Sequence, residues 1–354
     1  MEVNNMSISQ IIEKLINNDD LSDQEASWVM NETMDGNLTP SQIAAWLVAA
    51  RIKGETPGEI TQFATIMRDK AVPLPTLHHS DQDDQSENAV MVDTCGTGGD
   101  KSDLINISTL SALVLSSLGI TVAKHGNRAV SSKSGSADIL EQLGYPMDEN
   151  AEQAAKRLTE NKFAFLFAPS YHPAMKHAGP VRKELGIRTV FNILGPLSNP
   201  ANADIQLLGV YSSSLLDTMI QCLHKLNIKA ALVVHSEEGL DEISPVSKTH
   251  YRLLLNGNIS EGTIDASTLG LQINSLNELV ANSAEEALDK AKGVLNGTFL
   301  PGIETVALNC AATKFLYDNY TKKTNLNLTD YLADEVMKIK QHILDNKVKI
   351  TEII

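Results

Sequence analysis

The sequence predicts an α/β protein, with a small N-terminal helical domain over residues 1–72 and a larger α/β domain over 73–354. In the larger part a mainly parallel central sheet is flanked by helices. Three observations predict this. Helix start and stop signals recur up to Lys70 with no strand between them. Beyond Asn88, short apolar segments at Ala89, Ile120, Phe163, Ile205 and Ala230 alternate with helical stretches, the order that builds a sheet with helices on its faces. At 354 residues the chain exceeds one ordinary domain, so two units are the natural division.

Ser22 with Glu25, Thr39 with Gln42, and Thr56 with Glu59 each form a capping-box pattern, and Pro40 and Pro57 take the favoured first helical position. Gly36 and Gly54 follow as stops. Four short helices result, with Trp28, Ile43, Trp46, Leu47, Ile60 and Phe63 on their apolar faces. So small a bundle is marginal alone. It is expected to dock on the larger domain or on a second subunit, completed by a helical segment near residues 172–190.

Pro75 to Asn88 is the clearest insertion, rich in Asp, Gln and Ser, and it reads as a solvated loop rather than a metal site at His78 and His79. Ala89 to Thr94 then reads as a buried strand, Ser108 to Leu118 as a helix closed by Gly119, and Ile120 to Ala123 as the next strand, with Lys124 opening a loop. Glu304 to Tyr317 and Leu328 to Leu344 read as amphipathic helices packed over the sheet.

Two turns carry the chemistry. In DTCGTGGD, Asp93 to Asp100, glycines 96, 98 and 99 permit the positive φ and close backbone approach that an anion held by amides requires. The following helix start, with Asn106, Ile107, Ser108 and Thr109, adds unpaired N–H groups and a favourable dipole. GTGGD is neither a P-loop nor a GxGxxG fingerprint. The second turn, Lys124 to Glu141, gathers Lys124, Arg128 and Lys133 with Ser131, Ser132, Ser134 and Ser136 in a chain of 44 acidic and 29 basic residues. A cluster that runs so far against composition suits a highly charged phosphate ester.

Asp241 and Glu242 follow the apolar strand Ala230 to Val234. As hard oxygen donors beyond a strand's carboxyl end they suit a divalent cation, although an Asp-Glu pair is also ordinary surface charge. Arg182 presents a planar fork for a carboxylate, or else pairs with Glu184. His125 either accepts a proton or orients its neighbours. Tyr171 and His172 either line a ligand path or form a turn with Pro169 and Pro173. Cys95, Cys222 and Cys310 are isolated and build no zinc site or disulfide framework, which points to a reducing compartment.

The net charge of −15 disfavours nonspecific nucleic-acid binding. The N-terminus lacks the basic region and apolar core of a signal peptide. The uncharged run Leu104 to Ala123 is interrupted by Asn, Ser, Thr and Gly, so no membrane span is expected.

GTGGD, NIST at Asn106 to Thr109, KHGNRAVSS at Lys124 to Ser132, the run from His172 through Arg182 to RTVFNILGPLSNP, and GLDE at Gly239 to Glu242 resemble anthranilate phosphoribosyltransferase. The motifs stand in order across most of the chain. The resemblance implies transfer of a phosphoribosyl group from phosphoribosyl pyrophosphate to anthranilate with Mg2+, in tryptophan biosynthesis, by a cytoplasmic homodimer. Contacts to the sugar diphosphate carry over to Gly96, Gly99, Asp100, Asn106, Ile107, Ser108, Thr109, Lys124, His125, Gly126, Asn127, Arg128, Ala129, Val130, Ser131, Ser132 and Ser136. Anthranilate contacts fall on Gly96, Asn127 and Arg182, metal positions on Ser108, Asp241 and Glu242, and catalytic roles on His125 and Arg182. Leu104 departs from the pattern, standing where the family usually has a hydroxyl, and Ser236 stands where a glycine is usual. The rival readings are a pyrimidine nucleoside phosphorylase and a non-catalytic nucleic-acid-binding relative.

Overall fold

In the computed structural model the described residues are 6–75, 89–100, 102–129, 133–273 and 275–354. The first four helices are α1 (Ile8–Ile16), α2 (Asp23–Met34), α3 (Pro40–Lys53) and α4 (Pro57–Asp69). The three expected capping boxes form, and a fourth, between Ser7 and Gln10, opens α1. Ile43, Trp46, Leu47, Ile60 and Phe63 are fully buried, with Trp46 and Phe63 ring centroids 5.6 Å apart. This core does not close on itself. It continues through Val190, Phe191, Leu194 and Leu197 to Leu208, Val210 and Met219, so the helical part docks on the sheet.

The sheet contains β1 (Met91–Gly96), β2 (Thr121–Gly126), β3 (Phe163–Phe167), β4 (Ile205–Gly209), β5 (Ala230–Ser236), β6 (Lys248–Leu255) and β7 (Asn258–Asp265), in the order β3-β2-β1-β4-β5-β6-β7. The first five are parallel, and β6 and β7 add an antiparallel hairpin. That hairpin turns at Asn256-Gly257, both at positive φ, as a two-residue turn between right-twisted strands demands. Alternate residues serve opposite faces: Leu232 and Val234 join one core, Ala231 and Val233 the other.

Helices α5 (Ile107–Ser117), α6 (Ser136–Gln142) and α7 (Ala151–Asn161) connect β1 to β3, and α8 (Ala168–Tyr171), α9 (Gly179–Leu185) and α10 (Phe191–Leu194) lie between β3 and β4. The remainder are α11 (Leu216–Lys225), α12 (Ala284–Leu295), α13 (Leu300–Lys322), α14 (Leu328–Leu344) and α15 (Ile350–Ile353). The amphipathic reading of α13 is corrected: the helix is buried almost all round, because it sits between the sheet, α5, α12 and α14. Cys95, Cys222 and Cys310 are buried and unpaired. No helix among the described residues is long and apolar enough to cross a membrane.

Glu304 in α13 is fully buried. One carboxylate oxygen accepts from Lys340 Nζ of α14 at 2.7 Å, and the other from the amides of Gln272 and Ile273 at 2.8 and 2.9 Å. Glu304→Ala leaves an unpaired ammonium and two orphaned amides, so it is expected to lower stability by about 3–5 kcal/mol. Urea unfolding monitored by circular dichroism checks this, and an unshifted midpoint would remove Glu304 as the clasp.

Candidate active site

The strand order reverses at β1: the chain runs outward from β1 to β2 and β3, then returns to lay β4 on β1's other side. A crevice opens at the carboxyl ends where such a reversal occurs. Gly96 and Gly209, the last residues of β1 and β4, are paired in register there. Both are glycine for one reason. A Cβ on Gly96 would overlap the Asp241 carboxylate, and a Cβ on Gly209 would overlap the Asp241 backbone carbonyl. The missing side chains let the loop after β5 lie across the sheet's end and bring Asp241 and Glu242 to the glycine turn.

Gly98 and Gly99 adopt φ of +68° and +78°. The Gly98 amide donates to Asp241 Oδ2 at 2.7 Å, and the Ser108 amide, in the first turn of α5, donates to Glu242 Oε1 at 3.1 Å. The acidic pair therefore caps the very amides suited to an anion. Burial first, then the charge of Asp100, pushes the Asp241 carboxyl up to about 6. Glu242 is pushed well above the usual carboxylate range by desolvation, then by Asp241. Crowded, desolvated carboxylates of this kind are what a hard divalent cation relieves. Among the described residues no three His, Cys, Asp or Glu side chains gather into an ion cage. Magnesium fits such a pair, since it takes one or two carboxylates and completes its shell with water and phosphate oxygens.

The second turn faces the first. Asn106 Nδ2 donates to the Ser134 carbonyl at 2.9 Å, and Thr109 Oγ1 lies 3.0 Å from Ser136 Oγ. Asn106 thus does not cap α5 with its side chain; Glu242 supplies the acceptor instead. Lys124 does not open the loop, which corrects the sequence reading. It lies inside β2, buried, with Nζ donating to the Thr94 carbonyl at 2.6 Å and to Ser108 Oγ at 3.2 Å. Desolvation pulls its pKa down, opposed by the charge of Asp93. Gly126 ends β2 against Phe165 and Ser136, and Ile107 is in the core.

Arg128 is exposed and engaged by Asp138 at 2.9 Å and Glu141 at 2.6 Å. Asp138 also accepts from the amides of Ala129 and Gly135, each at 2.9 Å, and so folds the loop. Asn127 is exposed, its Oδ1 accepting from the Arg128 amide at 2.7 Å. Asp100 is turned toward Ser102, whose hydroxyl donates to it at 2.7 Å. Leu104 packs against the large core and bridges to Val280. Val130, Ser131, Ser132 and the His78–His79 pair lie outside the described residues.

His125 is buried, with Nδ1 3.2 Å from the Gly195 carbonyl and its ring edge-on to His172 at 5.0 Å. Burial, then His172, drives its pKa down to about 3. Its position beside Gly195 and His172 suits an orienting role for the second turn. Arg182, in the last turn of α9, has no carboxylate partner among the described residues, which corrects the Glu184 ion-pair alternative. Its guanidinium lies 5.1 Å from the Phe191 ring centroid, and desolvation lowers its pKa. A desolvated fork without an acid is set up to receive one. Asp138 and Gly209 were not singled out in the sequence, and Arg188 entered only as the first residue of the RTVFNILGPLSNP run; Gly209 left a local signal, a glycine closing an apolar strand.

The glycosyl transferase family a/b domain matches residues 88–343, and that family's helical bundle domain matches residues 9–71. The anthranilate phosphoribosyltransferase of Herpetosiphon aurantiacus is 44% identical over 87% of this chain and 88% of its own. That of Hydrogenovibrio crunogenus is 45% identical over 88% and 89%. The crystal structure of the Thermus thermophilus enzyme is 38% identical with a TM-score of 0.79, covering 96% of this chain and 98% of that one. The Saccharomyces cerevisiae enzyme in complex with PRPP and Mg is 26% identical with a TM-score of 0.78, covering 96% and 97%. Shared identity of this extent over nearly whole chains, together with the crevice at the β1/β4 reversal, establishes that the chain belongs to the anthranilate phosphoribosyltransferase family.

Proposed function

We infer that this chain transfers the 5-phosphoribosyl group of phosphoribosyl pyrophosphate to the amine of anthranilate, releasing pyrophosphate, in tryptophan biosynthesis. The observation that carries the reading is the meeting of two hydroxyl- and amide-rich turns over an acidic pair, with an unpaired arginine fork on α9.

In the reaction the C1–O bond breaks, the electron pair leaves with pyrophosphate, and the anthranilate nitrogen bonds C1 and gives up a proton. The aromatic amine carries its lone pair at neutral pH, so no strong base is needed. The demand falls on the leaving group, where negative charge develops. Amides of the 96–99 turn and the start of α5 bind the diphosphate beside Asn106, Thr109 and Ser136, once Asp241 and Glu242 turn off the Gly98 and Ser108 N–H groups that they hold in the ligand-free protein. Lys124, beneath Ser108, holds that hydroxyl in place. Asp241, Glu242 and Ser108 would hold Mg2+, which when bound neutralises the departing diphosphate. Arg182 holds the anthranilate carboxylate, with Asn127 and Gly96 beside it, and His125 orients the second turn.

Arg182→Ala is expected to raise the KM for anthranilate by roughly 10- to 100-fold, the worth of a charged hydrogen-bonded pair. The KM for the sugar diphosphate should change little, and equal effects on both would remove the assignment. The whole reading is tested by fluorescence of anthranilate with phosphoribosyl pyrophosphate and magnesium, run beside thymidine or uridine with phosphate. Turnover of the nucleosides alone would install the phosphorylase instead. We further propose division at 72/73, a homodimer and a cytoplasmic setting. The two family models at 9–71 and 88–343 support the division, the family resemblance the dimer and the three unpaired cysteines the setting, and sedimentation of the purified protein tests the dimer.

A further inference from the structure

The glycine turn is held from a side that the chemistry above does not use. Arg188 lies between α9 and α10, in the segment packed against α3. Its guanidinium reaches the glycine turn and donates through Nη2 to the carbonyl oxygen of Gly99. The same guanidinium is stacked on Tyr211, its Cζ 3.7 Å from the ring centroid. Arg51 of α3 donates to the backbone carbonyl of Arg188, which fixes the root of the side chain to the helical domain. Tyr211 in turn holds the other end of the turn: its amide donates to Thr97 Oγ1 at 3.1 Å, while the Thr97 amide donates to the Gly209 carbonyl at 2.9 Å.

Thr97 and Gly99, the neighbours of Gly98, are thus both tied to one Arg188–Tyr211 unit. Gly99 is favoured as glycine by its φ of +78°, and a Cβ there would also push Arg188 Nη2 off the turn. Two successive positive-φ glycines are the most freely moving backbone a turn can contain. Asp241 holds the Gly98 amide, but any ordering of Gly99 that the protein does not supply falls on the binding of the ligand. Among the described residues no carboxylate pairs with Arg188, so its charge also stays uncompensated beside the turn.

We propose that Arg188 is a positioning residue: it preorganises the Gly98 and Gly99 amides for the diphosphate and couples their geometry to the helical domain through Arg51. This rests on the proposed function for the identity of the ligand. Its mechanical part, a strap on the turn, stands apart from that reading.

The test uses the full-length protein as Arg188→Gln, Arg188→Lys and Tyr211→Leu. The KM for phosphoribosyl pyrophosphate is expected to rise roughly 10-fold in Arg188→Gln, the size of one charged hydrogen bond. Both kcat and the KM for anthranilate should stay within about twofold, since a strap acts before the reacting atoms move. Lys, which donates but stacks poorly, should recover part of the loss. Tyr211→Leu should produce a smaller rise and add little on top of Arg188→Gln, as expected for partners in one unit. An unchanged KM for the sugar diphosphate, or parallel rises for both substrates, overturns the proposal. A fall in kcat alone does so too, since it would make Arg188 a transition-state contact. Hydrogen exchange at the Gly98 and Gly99 amides of ligand-free protein reads the strap without turnover: faster exchange in Arg188→Gln is expected, and equal exchange sinks the idea. Absence of wild-type turnover with these substrates would instead defeat the functional reading, leaving the exchange experiment to judge the strap.

Discussion

Replacing Asp241 by Asn and Glu242 by Gln is expected to abolish magnesium-dependent turnover, with a fall in kcat of about a thousandfold. The amide oxygens of the new side chains can still accept from the Gly98 and Ser108 N–H groups, which Asp241 and Glu242 hold at 2.7 and 3.1 Å. Local backbone geometry is therefore kept while the two charges go. What is lost is the cation's seat, and a bound divalent ion contributes several kcal/mol of charge stabilisation to a departing phosphate, at 1.36 kcal/mol per tenfold in rate. Initial rates across a magnesium titration measure the effect. A titration curve matching that of the unaltered protein would exclude the pair as ligands.

Gly209→Ala is expected to lower kcat/KM by roughly a hundredfold without unfolding the protein. The added Cβ would overlap backbone atoms of Asp241, and no rotamer change relieves a clash with backbone. Either the loop carrying Asp241 and Glu242 lifts away from the sheet or the end of β4 tilts, and misplacing a catalytic group by about 1 Å costs on the order of 100-fold. Steady-state kinetics beside a circular dichroism spectrum measures this. Activity within about threefold of the unaltered protein would show that the loop's seat on Gly209 does not matter to the chemistry.

Much of the fold was legible in single residues. Ser22 with Glu25 and Thr56 with Glu59 announced helices because a capping box satisfies its own amides locally. The strands at Phe163 and Ala230 were legible as continuous apolar runs, the mark of a strand covered on both faces. The β6–β7 hairpin was written at Asn256-Gly257 and passed over, although that dipeptide is a strong short-range turn signal. The end of β2 was set too early, at Ala123, for a physical reason: a lysine normally ends a buried strand, and only the Thr94 carbonyl and Ser108 hydroxyl, brought in from other segments, make the burial of Lys124 tolerable. The all-round burial of α13 depended on α5 and the sheet, far back in the chain, as well as on its neighbour α14, where Lys340 answers Glu304.

The site divides in the same way. Local composition determined the two anion-seeking turns and the acidic pair, because glycine conformation, hydroxyl clusters and hard oxygen donors are properties of residues and their immediate neighbours. Only the tertiary structure decided that Gly96 and Gly209 would lie side by side, that Asp241 would rest on both, that His125 would be buried edge-on to His172, and that Arg188 would reach across to the glycine turn from the segment that Arg51 of α3 holds. These depend on which strands pair and on what water is excluded from, and both are fixed by contacts between segments far apart in the chain.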